Sequence, residues 1–225
     1  MPRLFPVAAL AAALALPTFV LPAQIVTVGM NQGGDGLLAC GTRCDGFVYQ
    51  QAYAASAFGP NAVFIDALRL YGVPTQGGAM GGSIKFSIGT TTRAVNALST
   101  SLASNVSSPL SLFAEMAVSG YYPFLTGVSA TPFLYDPSEG NLLLQVESTG
   151  RQDQFFQADY SNSGQVGRAY GGTYPYADGY GFVTSFSVTA TPEPASIILL
   201  GTGLVGLGFV VRKKDRVVSG SHPAT

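Results

Sequence analysis

The chain has 225 residues, enough for one domain of ordinary size plus targeting segments. Only 10 % of them are charged, Gly and Pro number 28 and 14, and the formal net charge is −1. That is the composition of a turn-rich β protein, and it supplies no basic surface for nucleic acid. The first segment, "MPRLFPVAALAAALALPTFVLPAQ", sets Arg3 and the free amine before an apolar run that ends in small residues. It reads as a Sec-type signal peptide over residues 1–23, cut after Ala23, although Ala13-Leu14-Ala15 also satisfies the small-x-small rule.

Cys40 and Cys44, in "CGTRCDG", are the only cysteines. In an oxidising compartment they read as a disulfide closing a small loop around Gly41, with functional thiols as the lesser alternative. From "SIKFSIGT" onward the pattern is period two. Ile84, Phe86 and Ile88 share a face, as do Leu110, Leu112, Ala114, Met116 and Val118 in "PLSLFAEMAVSG". Leu142, Leu144 and Val146 repeat the pattern, and Phe182, Phe186 and Val188 close it. "RAVNALSTSLASNV" reads as a short helix or a connecting loop. "GVPTQGGAMGGS", "YDPSEGN" and "YGGTYPYADGYG" carry turn chemistry. Short strands with one apolar face must bury it against a second sheet, so residues 24–190 are expected to form an antiparallel β-sandwich of jelly-roll type.

This body holds six basic residues against ten acidic ones, a net charge of −4. It contains no histidine, because His222 lies past the last apolar run. A Ser-His-Asp triad or a His-ligated metal site therefore has no residues to draw on, and neither a cofactor nor an enzymatic activity is expected. Asp136, Ser138, Glu139 and Asn141 offer oxygen ligands, but the loop lacks EF-hand spacing and reads first as a tight connection. The same holds for Asp35 and Asp45 beside the cysteines. Asn105 starts an Asn-Val-Ser triplet that reads as chance in an exported bacterial protein. Tyr170, Tyr174, Tyr176 and Tyr180 sit among glycines. They read first as packing at one end of the sandwich and second as a platform for sugar rings, since a phenol offers a flat apolar face and a hydroxyl.

The chain then runs into "TPEPASIILLGTGLVGLGFVVRKK". Residues 195–211 form an uncharged stretch that spans about 25 Å as a helix, at the short end for a bilayer. Arg212, Lys213 and Lys214 would hold its far end in the cytoplasm, with residues 217–225 as a short cytoplasmic tail. Pro192-Glu193-Pro194, the Gly-rich apolar run and the basic cluster, in that order over 191–216, closely resemble the PEP-CTERM sorting signal of exopolysaccharide-producing Gram-negative bacteria. The trailing "VVSGSHPAT" is longer than such signals usually carry. The resemblance implies recognition by an exosortase, which removes the tail near the triplet.

The body also resembles a recurrent ectodomain of PEP-CTERM proteins, through "YQQAYAASAFG", "FSIGTTTRAVNALSTSLASNV", "TPFLYDPSEGNLLLQV" and "QFFQADYSNSGQVGRAYGG". That likeness implies a secreted β-sandwich and transfers no catalytic residue. The expected protein is a structural or adhesive component of the cell envelope or extracellular polysaccharide matrix. Its precursor would be anchored in the inner membrane by the C-terminal helix, with exosortase as its processing partner. A carbohydrate-binding module, with extracellular polysaccharide as its ligand, is the alternative.

Overall fold

The structure is a computed structural model that describes residues 22–31, 34–37, 47–172 and 175–191. The signal peptide up to residue 21, Cys40, Cys44, Tyr174 and the sorting segment with Pro192, Glu193, Pro194, Arg212, Lys213 and Lys214 lie outside the described residues. The apolar stretch 195–211 lies outside them as well. Among the described residues no helix is long and apolar enough to cross a membrane.

In chain order the strands are β1 (Gln24–Val28), β2 (Gly34–Leu37), β3 (Phe47–Tyr53), β4 (Val63–Thr91), β5 (Ser111–Gly120) and β6 (Phe124–Tyr135). After them come β7 (Asn141–Thr149), β8 (Gln152–Asp159), β9 (Val166–Tyr170), β10 (Tyr176–Asp178), β11 (Gly181–Phe182) and β12 (Thr184–Ala190). All their pairings are antiparallel. The all-β, antiparallel expectation is met.

One strand organises the rest. β4 is 29 residues long and would reach about 95 Å if straight. Instead Val63 pairs with Tyr135 and Thr91 with Asn141. The Tyr135 hydroxyl donates to the Gly140 carbonyl at 2.8 Å, so the two ends of β4 lie close together. Its first part joins β1, β12 and β6 in one face, in the order β1-β12-β4-β6. Its last part joins β5, β7, β3, β9 and β10 in the other. β8 bonds the middle of β4 and also pairs with β2 and β11.

The stretch Gly72–Ser83, expected to be a turn, is therefore a bend inside a continuous strand. Its glycines are what allow this. Gly77 sits at φ +85° and Gly82 at φ +106°, and a Cβ on either would come within 2.1 Å of a carbonyl oxygen of the neighbouring strand. A jelly roll assembled from separate short strands does not contain such a shared strand.

The core lies between the two faces. Tyr53 meets Phe186 edge-on at 4.9 Å, and Phe58 bridges Phe186 at 5.3 Å and Tyr135 at 5.0 Å. Phe86 packs against Gly127, where a Cβ would lie 2.9 Å from its ring. Ile84, Phe86, Ile88, Leu142, Leu144, Val146, Phe182, Phe186 and Val188 are all buried, as the alternation predicts.

β5 departs from its pattern. Leu112 is 59 % exposed while Phe113 is buried, because Phe86 pairs with Ala114 and Ser87 with Leu112, leaving Phe113 as an extra residue. A bulge of this kind reverses the facing of everything on one side of it.

The segment after β4 is a loop with 3-10 turns at Val95–Ala97 and Leu102–Asn105. It places Val95 and Leu98 over Ala52, Leu143 and Ala169, on the outer side of the second face. That face is covered on both sides, which explains why Leu143 is buried along with its neighbours on either side. Phe186→Ala removes the ring between Tyr53 and Phe58, and urea unfolding should show a loss of about 3–5 kcal/mol.

Candidate functional site

The hairpin from β9 to β10 places Arg168 directly opposite Asp178. Arg168 Nε donates to Asp178 Oδ1 at 2.9 Å and Nη2 to Oδ2 at 3.2 Å, a bidentate pair whose side chains are only 11 % and 13 % exposed. The same carboxylate accepts from the Tyr176 hydroxyl at 2.8 Å and from the Tyr180 backbone N–H at 3.1 Å. Asp178, expected as a turn former, does cap the turn to Tyr180, but it is also the counter-ion of a largely buried arginine.

Aromatic rings enclose the cation. The Arg168 guanidinium carbon lies 5.3 Å from the Tyr170 ring centre, 5.6 Å from Tyr160 and 5.8 Å from Tyr180. Tyr160 and Tyr180 meet edge-on at 5.1 Å, and Tyr49 meets Tyr170 at 5.0 Å from beneath. Gly36 on β2 makes room for the group, since a Cβ there would lie 3.2 Å from the Tyr160 hydroxyl. Below, Gln51 donates to the Phe182 carbonyl at 2.8 Å, accepts from its N–H at 2.7 Å and accepts from the Tyr49 hydroxyl. Three of the four tyrosines singled out in the sequence thus come together, while Tyr174 lies outside the described residues.

Sequence reasoning missed Arg168, Tyr160 and Tyr49. A signal for Arg168 was present: it and Asp178 flank the Gly-rich turn at mirrored distances, as cross-strand partners in a hairpin do.

The electrostatics keep Arg168, Tyr170, Tyr49 and Tyr176 in one protonation state near neutrality. Burial opposes the charge on Arg168, but Tyr170 and Asp178 outweigh it and hold its pKa above the ordinary arginine value. Burial pushes Tyr170 up to about 12, against the lowering pull of Arg168. Tyr49 is raised well above its ordinary value, first by burial. Tyr176 is raised by its hydrogen bond to Asp178. What remains is a paired, persistent cation beside the protonated phenols of Tyr170, Tyr49 and Tyr176, with Tyr176 50 % and Tyr160 37 % exposed at the rim.

Of the other candidate ligands, Asp136 and Asn141 are spent on structure, while Asp45 and the side chain of Asp35 lie outside the described residues. Asp136 accepts from the Ser138 N–H at 2.9 Å, and Asn141 holds Ala55 N–H and the Arg93 carbonyl, both at 2.9 Å. Among the described residues no group of three or more His, Cys, Asp or Glu is placed to hold a metal ion. Asn105 is fully buried, with its amide donating to Gln50 at 2.9 Å and to the Ser99 carbonyl at 2.8 Å, so it offers no attachment point for a glycan.

Two outcomes follow from this geometry. Asp178→Asn leaves Arg168 without its counter-charge and should cost about 3–5 kcal/mol in chemical denaturation, much of it recovered by Arg168→Met with Asp178→Leu. A phenol whose folded pKa is raised contributes stability below its unfolded value and loses it as pH rises. The melting temperature should therefore fall as pH climbs from 10 towards about 12, less steeply in Tyr170→Phe.

No curated protein matches the chain. The family model for the PEP-CTERM protein-sorting motif matches residues 190–214, starting on the last residue of β12. The order of triplet, apolar run and basic cluster is thus identified independently of the body. This chain carries a PEP-CTERM protein-sorting motif and is, by that motif, an exported substrate of an exosortase.

Proposed function

We propose that the protein is a structural or adhesive component of the cell envelope or extracellular polysaccharide matrix, without enzymatic activity of its own. Its two-faced β body would leave the cytoplasm by the Sec route and wait on an inner-membrane anchor formed by residues 195–211. Arg212, Lys213 and Lys214 would stay inside, and exosortase would release the body near Pro192-Glu193-Pro194. The sorting motif at 190–214 is the observation that carries the delivery step. The state of the Arg168 cluster supports the rest. Its cation is paired, its carboxylate accepts four hydrogen bonds, and Tyr170 is moved away from the range where acid–base chemistry works.

A carbohydrate-binding role is the second reading. It is favoured by the exposed Tyr176 and Tyr160 rings at the rim of the cluster, flat apolar faces with hydroxyls that suit a sugar chain. Retention on an affinity gel of matrix polysaccharide, lost when Tyr160 and Tyr176 are both changed to Ala, would favour it. No retention, or retention that survives the change, would sink it.

Delivery itself is tested by intact-mass spectrometry of the protein from fractionated cells that make an exosortase. The wild-type chain should lack the residues before about Gln24 and after about Pro194. Ala in place of Pro192, Glu193 and Pro194 should leave the tail attached, and normal removal in that variant would overturn the assignment of the triplet.

A further inference from the structure

The outer side of the first face carries a polar row. Thr27 pairs with Ser185, Ser185 with Arg69 and Arg69 with Thr126, so the four residues cross β1, β12, β4 and β6 in one line about 14 Å long. Leu68, Leu70 and Phe186 alternate with them and fill the core, which turns the row outward. A shallow depression of about 90 Å³ lies along it, lined by Ile25, Arg69, Tyr71, Thr126, Ser185 and Ser187 among others.

Arg69 stands apart from the other cations. Among the described residues Lys85, Arg151 and Arg168 are paired with Glu147, Asp153 and Asp178, and Arg93 donates to the Ser104 carbonyl at 2.9 Å. Arg69 is exposed, and no described carboxylate lies within ion-pair distance of it. Its guanidinium sits 5.0 Å from the Phe124 ring centre, and Phe124 meets Tyr71 edge-on at 5.8 Å. The rings hold the planar group in place, and its N–H fork has no acceptor among the described residues. Beside it Ser185, only 5 % exposed, shares its hydroxyl with Thr27 at 2.6 Å and with Tyr71 at 2.5 Å. Three hydroxyls with two contacts between them keep one O–H for a further acceptor.

We infer that this row binds a carboxylated sugar, a uronate unit of a polysaccharide, whose carboxylate takes the fork of Arg69. One fixed fork matches one planar carboxylate, whereas a phosphate would set about −1.5 to −2 charges against a single cation. The spare O–H, with the hydroxyls of Thr126 and Ser187, suits the hydroxyls of a sugar ring. Ile25 and the Tyr71 ring give its C–H face an apolar wall. The row runs straight across four strands, a line that a polymer can follow. The net charge of −4 on the body opposes any general attraction for a polyanion, so one that binds must do so through a local cation without a counter-charge. The site shares no residue with the Arg168 cluster and stands apart from the sorting step.

The test is affinity electrophoresis of the detergent-solubilised full chain in native gels cast with polygalacturonate. The wild-type chain should be retarded there. It should run freely in gels cast with the same polymer methyl-esterified at its carboxyls, with polyglutamate or with dextran sulfate. That comparison uses the wild-type chain alone, so it does not depend on how any variant folds. Arg69→Gln should weaken the retardation by about tenfold, while Arg93→Gln, which removes the same charge from the loop after β4, should leave it unchanged. Tyr160→Ala with Tyr176→Ala should keep it too, which separates this site from the tyrosine rim. The inference fails if polygalacturonate does not retard the wild-type chain, or if any of the other three polymers retards it equally. It fails also if Arg69→Gln binds as before, if Arg93→Gln weakens binding as much, or if the two tyrosine changes abolish it.

Discussion

A strand bonded on both edges cannot move without its neighbours, and β4 is bonded that way along each of its two arms. It takes β12 and β6 in its first part and β5 and β7 in its last, with β8 between. Because β4 bends back at its glycines, the same stretch of backbone templates both faces and sets the distance at which their side chains meet. Phe86 can press on Gly127 only because Leu68, which pairs with Gly127, and Phe86 belong to two arms of one strand. The pairings are almost all long-range in sequence, β12 returning to β4 from over a hundred residues away. Such a fold gains little until distant segments have met, and slow, cooperative folding is its natural consequence.

How legible this was depended on the length scale of each signal. Ile84, Phe86 and Ile88 were readable as one buried face because period two is a local property of an extended chain. The strands of β4, β5, β7 and β12 followed from it. The bend at Gly72–Ser83 was visible as turn composition. Its persistence as paired strand was not, since that depends on β8 lying alongside, a contact more than seventy residues distant. Leu112 and Phe113 exchanged places for a similar reason: a bulge is defined by the partner strand's register, which the strand's own pattern does not contain.

The aromatic cluster shows the same division. Tyr170, Tyr176 and Tyr180 were conspicuous because they lie within eleven residues of one another, but what they enclose comes partly from elsewhere in the chain. Tyr49 arrives on β3 and Tyr160 just past β8, and without them the cation would have rings on fewer sides. The largely buried Arg168–Asp178 pair is costly to desolvate, and its bidentate geometry together with two further donors to the carboxylate is what makes that burial tolerable. The arrangement acts as a rivet through the β9–β10 hairpin.

The register of β1 against β12 has a mechanical meaning as well. Gln24 sits opposite Val188, so the chain enters and leaves the body at the same end of the same pair of strands. Thr191 is still tied to the Ala62 carbonyl, its hydroxyl at 3.0 Å and its N–H at 3.3 Å, and Pro192 follows at once. Four peptide units reach at most about 14 Å from Thr191 to Ala195. Were residues 195–211 to anchor the precursor, the body would hang on a leash that short, and an enzyme cutting at the triplet would work against the flank of a folded sheet. A pull on the tail would load the first pair of β12 hydrogen bonds alone, opening the sheet like a zipper rather than shearing it.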